Sequence, residues 1–156
     1  MKPIAQKLKA LSLIILVTMC FTACEKQKIN ENNIVNYGTS FGMCVEYCNQ
    51  SISITSAKVT FTKIKNRPTP DTKTCEKTID NEQFKNLTAT IDLGKFDKLD
   101  ERIGCPDCAD GGAEWVEVVR DGKKKRVTFE YGDAPKELAE AVAKFRELKA
   151  SFANCN

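Results

Sequence analysis

Histidine does not occur anywhere in this chain of 156 residues. That absence removes the usual proton shuttle of serine and cysteine hydrolases, so no Ser-His-Asp or Cys-His apparatus can be assembled. It also confines any zinc site to thiolates and carboxylates. Aromatic residues are sparse, with one tryptophan and three tyrosines, which leaves little to line a sugar cleft. Paired carboxylates remain available for acid–base work on a glycoside, but without a cleft an enzyme is not the expectation. No cofactor is expected either. Long apolar runs are missing too. The uncharged stretch 10–23 (ALSLIILVTMCFTA) has fourteen residues, short of the about 20 that a membrane-spanning helix needs.

That stretch follows Lys2, Lys7 and Lys9, the charged-then-apolar order of a secretory signal peptide. It closes on Phe21-Thr22-Ala23-Cys24 and gives way at once to Glu25-Lys26-Gln27-Lys28. The ending resembles the lipobox of bacterial lipoproteins, in which a small residue precedes the cysteine. The resemblance implies that Cys24 is acylated, with palmitate or a like chain, and becomes the first residue of the mature protein. Phe21 departs from the usual leucine. Cys20 is the rival site, but Met19 before it is bulkier than Ala23.

An excess of charge of one sign is also missing once the leader is set aside. The formal charge is +3, from 24 Lys and Arg against 21 Asp and Glu, and residues 1–23 carry three of the lysines. The remaining side chains balance at 21 against 21. The basic run Lys123-Lys124-Lys125-Arg126 lacks interleaved aromatics and reads as a solvated turn, so no nucleic-acid partner is expected.

What the chain does have is cysteine, eight in all. Without Cys20 and Cys24 there remain Cys44, Cys48, Cys75, Cys105, Cys108 and Cys155. An even set in an exported chain reads as disulfides, but sequence alone does not choose among the possible pairings. Cys105-Pro106-Asp107-Cys108 also satisfies CxxC. A redox centre needs a thiol of lowered pKa, commonly at a helix N-terminus. Asp107 and Asp110 would act the other way, and Asp110-Gly111-Gly112 promises a turn, so a structural bridge is expected. An all-thiolate zinc site from Cys44, Cys48, Cys105 and Cys108 is the alternative use of the same residues. Asp107, Asp110 and Glu114 are weak calcium candidates, since they miss the alternating acidic pattern of an EF-hand loop.

Periodicity supplies the fold. Residues 50–55, 58–64 and 73–79 alternate as strands. Asp80-Asn81 can cap a short helix carrying Phe84, Leu87 and Ile91 on one face. Residues 115–120 and 123–131 flank Asp121-Gly122, which suits a type I′ hairpin turn. That turn sets Val116 opposite Val127 and Glu117 opposite Arg126, with Val116, Val118, Val127, Phe129 and Tyr131 on one face. A last helix over 135–152 carries Leu138, Val142, Phe145, Leu148 and Phe152 in one stripe. The expected order is β-β-β-α-β-β-α, an α+β domain with a mostly antiparallel sheet, helices on one face and disulfide staples. Its expected divisions are a signal peptide (1–23), a lipidated polar tether (24–37) and a single domain (38–156).

Taken together, SFGMCVEYC, IGCPDCADGGAEW and VTFEYGDAPKEL are similar to stretches of uncharacterised small lipoproteins of the Bacteroidota type. The resemblance spans roughly residues 38 to 150. It implies an exported α+β domain and assigns no activity. The expectation is a lipid-anchored envelope protein, in the outer membrane on its periplasmic face or at the cell surface. Its role would be that of a binding or structural module, with the membrane as one partner and an envelope protein or glycan as another. The alternative is a small envelope enzyme, an inhibitor or a calcium-binding module using the loop from Cys105 to Glu114.

Overall fold

The computed structural model describes residues 26–155; the expected signal peptide and the acylation site at Cys24 lie outside the described residues. The fold is mixed α and β, built on a seven-stranded, mostly antiparallel sheet. Its strands are β1 (Ile34–Ser40), β2 (Asn49–Ile54), β3 (Lys58–Lys65), β4 (Asp71–Thr78), β5 (Arg102–Ile103), β6 (Ala113–Arg120) and β7 (Lys123–Glu130). Their order across the sheet is β4-β3-β2-β1-β6-β7-β5, and only β5 runs parallel to its neighbour, β7. Three helices join them: α1 (Asn81–Thr88), α2 (Leu93–Phe96) and α3 (Ala139–Ala150).

Two strands and one short helix exceed the expected order, and the first of them corrects the domain boundary. Residues 34–37 were expected in a tether, yet they open β1, which lies between β2 and β6 near the middle of the sheet. Val35 and Tyr37 alternate inward and are fully buried. The asparagines gave the segment a polar composition, but Asn36 places its amide on Glu117 Oε1 at 2.9 Å across the strand pair. A paired polar side chain is no obstacle to a central strand. Packing starts earlier still, since Ile29 is buried and the Gln27 carbonyl accepts from the Leu93 amide at 2.9 Å.

The hairpin has the expected register, with Val116 opposite Val127 and Glu117 opposite Arg126. Asp121 and Gly122 both take positive φ, 49° and 74°, as a type I′ turn requires. Tyr131 departs from expectation: it lies past the end of β7 and is half exposed, resting edge-on against Phe41 with ring centroids 4.8 Å apart.

One row of inward side chains crosses the sheet as Phe61, Ile52, Tyr37, Val116 and Val127. These join Phe84 of α1, Phe96 of α2, and Leu138 with Val142 and Phe145 at α3 in a single buried cluster. Asp80 caps α1 through a capping box with Gln83, which satisfies amides that the first turn leaves open. No helix among the described residues is long and apolar enough to cross a membrane.

The six cysteines form three bridges: Cys44–Cys48, Cys75–Cys155 and Cys105–Cys108. Two close loops of a few residues. The third joins edge strand β4 to the chain beyond α3, where Phe152 stacks on Phe61 with centroids 5.4 Å apart.

Candidate functional site

Four connections leave the same end of the sheet, because Ser40 pairs with Asn49, Lys65 with Asp71, Ser40 with Ala113, and Ala113 with Glu130. They are the loop 41–48, the loop 66–70, the loop 104–112 and the link from Glu130 to α3. Both short disulfides lie in these loops. Arg67 donates to the Gly42 carbonyl at 3.4 Å, and the Cys105 amide donates to Glu130 Oε1 at 2.7 Å. Tyr47 donates to Asp71, a bond that pushes the phenol up to about 12 and holds the Asp71 carboxyl below its ordinary value. The loops are tied to one another and to the strands beneath.

On this stapled end Met43 is 76 % exposed and Val45 70 %. With Cys44, Arg67 and Pro68 they border an open groove of about 530 Å³. The five-residue disulfide ring from Cys44 to Cys48 holds Val45, with Met43 directly before it, at reduced conformational freedom of the backbone, which lowers the ordering cost of binding.

The expected acidic residues do not meet. Asp107 and Asp110 stand exposed in the loop, each at positive φ. Glu114 is inside, 0 % exposed. The structure therefore corrects its grouping as a calcium ligand with them, and the thiols proposed for zinc pair within their own loops. No group of three Cys, Asp or Glu side chains among the described residues is placed to hold a metal ion.

Glu114 instead anchors a buried polar network. It accepts from Tyr37 Oη at 2.6 Å, from the Gly132 amide at 3.2 Å and from Arg146 Nε at 2.9 Å, with a second bond from the same guanidinium. Burial pushes its carboxyl up, and the bonds from Arg146, Tyr37 and Gly132 outweigh that, leaving it below the usual carboxylate range. Burial and the facing carboxylate raise the Tyr37 phenol. Nearby, Lys149 donates to Thr39 Oγ1 at 3.0 Å; burial, with the Arg146 charge, lowers its ammonium against the opposing pull of Glu114. The signal for Glu114 was present in the sequence, since position 114 is in phase with inward Val116 and Val118. Its cation was not, because Arg146 comes from a helix 32 residues on.

The opposite face of the sheet carries Trp115, whose indole lies across Gly38. A β-carbon on Gly38 would fall 2.3 Å from Trp115 Cζ2, so only glycine leaves room. The Arg126 guanidinium covers the ring at 3.9 Å and pairs with Glu117 at 3.0 Å. Gly38→Ala should therefore displace the indole and cost about 1–3 kcal/mol, as overpacking does. As Trp115 is the only tryptophan, its emission and the melting curve report the change together. An unshifted spectrum at wild-type stability would refute this account of Gly38. A groove of about 410 Å³ beside the ring is lined by Ser40, Asn49, Ser51, Ile64 and Thr128 among others.

Neither a scan against protein-family models nor a search of curated proteins finds a match for this chain.

Proposed function

We propose that this is a lipid-anchored protein of the cell envelope, held at Cys24, whose stapled end is a binding surface for an envelope partner. The observation that carries the reading is the cysteine pairing. Each of the six described cysteines is bonded to another of the six, so the domain calls on neither Cys20 nor Cys24. A pattern of three bridges fits an oxidising compartment, and the leader with its Ala23-Cys24 ending supplies the route there. The similarity to small Bacteroidota-type lipoproteins points the same way. Against the enzyme and calcium alternatives, the groove beside Trp115 is lined by hydroxyls, the amides of Asn49 and Gln50, Ile64 and Arg126, and Glu114 is committed to Arg146.

The test is Cys24→Ala. The wild-type protein should incorporate labelled palmitate and enter the detergent phase. The variant should take up no label and move to the aqueous phase, because acyl burial contributes about 0.8 kcal/mol per CH₂. Equal labelling and partition of the two would overturn the anchor.

A further inference from the structure

The end of the sheet opposite the staples holds the entry of the chain and the tip of the β6–β7 hairpin together. Ile34 opens β1 opposite Val119, and the Asp121-Gly122 turn follows directly. A groove of about 390 Å³ there is lined by Gln27, Lys28, Arg120, Lys123 and Lys124, with Asp121 as its acid. Arg120 is held by Asp97 at 2.6 Å, and Lys125 donates to the Asp97 and Leu99 carbonyls at 2.9 and 2.7 Å. Lys26, Lys28, Lys123 and Lys124 are exposed, and no ion pair among the described residues engages them.

We propose that this end is a membrane-facing surface, with Lys28, Lys123 and Lys124 seated on anionic phosphate headgroups of the bilayer that holds the anchor. The inference rests on the reading of Cys24 as the lipid site. Its geometry comes from the short leash. Gln27 is already bonded to Leu93 and stands three residues after Cys24, so the linking chain spans at most about 11 Å at full extension. Electrostatic attraction to a charged surface decays over about 8 Å at physiological ionic strength, a length comparable with the leash, so Lys28 comes within its reach once the leash is less than fully extended. A long tether would let the domain tumble, whereas this leash holds the lysine end down and presents Met43 and Val45 outward. The hairpin lysines alone read as a solvated turn. The fold sets Lys28 beside them, which the linear sequence does not display.

The experiment uses the full lipidated protein in vesicles of phosphatidylcholine, with and without a fraction of phosphatidylglycerol. A water-soluble amine reagent labels the lysines, and mass spectrometry reads each one. On anionic vesicles Lys28, Lys123 and Lys124 should label several-fold more slowly than on neutral ones. Lys65 and Lys136, toward the stapled end, should be unchanged, and high salt should erase the difference. Lys123→Ala with Lys124→Ala, both exposed, should return Lys28 toward its neutral-vesicle rate. Equal labelling on both vesicles, or slowed labelling at the stapled end, overturns the orientation. The same protection from inorganic phosphate in detergent also overturns it, as a site for a free anion. An acylated chain with unprotected lysines overturns the orientation alone; a chain without acyl mass at Cys24 overturns the anchor and this inference together.

Discussion

Removing the Cys75–Cys155 bridge, by Cys75→Ala with Cys155→Ala, should cost about 4–5 kcal/mol of folding stability. The chain-entropy account scales with the loop closed, and this one spans a sequence separation of 80. The bridge also has the most structure to release. β4 is an edge strand, and its far end of the staple lies beyond α3, where Phe152 packs on Phe61 and Lys63 donates to the Cys155 carbonyl. The paired alanine variants at Cys44 and Cys48, or at Cys105 and Cys108, close separations of only 4 and 3. Each should cost about 2 kcal/mol on the same scaling. Urea unfolding of the three double variants makes the comparison. If all three lose the same amount, the long bridge is not what holds the edge strand to the C-terminal helix.

The second large effect belongs to Glu114. Glu114→Ala should cost about 2–3 kcal/mol, because it leaves the buried Tyr37 hydroxyl without its acceptor while the Arg146 side chain, 40 % exposed, can turn to water. Glu114→Gln should cost less, since an amide keeps an acceptor oxygen. The pH dependence follows from the direction of the shift. The folded carboxyl sits below its ordinary value, and an unfolded glutamate titrates near about 4.3. The stabilisation is therefore complete above that value and is lost as pH falls through the folded pKa. Melting curves taken from neutral pH down into the acid range should show wild type falling faster than Glu114→Gln. Parallel curves would remove Glu114 from the acid response.

The hairpin shows how far local information reaches. Asp121-Gly122 sets a two-residue turn, the turn sets the register, and the register places every residue from Ala113 to Glu130 on a face. That chain of inference needs no contact from elsewhere. Two of the three helices were legible for the same reason: Asp80-Asn81 offers a cap, and Leu138, Val142 and Phe145 repeat at helical spacing, whereas the four residues of α2 are too few to carry a period. β1 was missed because its evidence is split. Val35, Tyr37 and Thr39 alternate, but the asparagines around them look like tether until Glu117, on a strand 81 residues away, supplies Asn36 with a partner. β5 has only two residues, too few to carry a period.

The candidate site divides along the same line. Sequence by itself determined the cysteine-rich composition, the strand and helix periods, and the exclusion of histidine chemistry, since each follows from composition or spacing within a few residues. Only the tertiary structure decided which cysteines pair, and it turned Glu114 from a candidate loop ligand into a buried anchor for Arg146. It also set Trp115 on Gly38 and brought Lys28 to the hairpin tip. Each of these joins residues far apart in the chain, or selects among pairings that spacing leaves open. The reason is physical: a disulfide, an ion pair or a stacked ring depends on distances of a few ångströms, and chain separation does not encode them until the strands are in register.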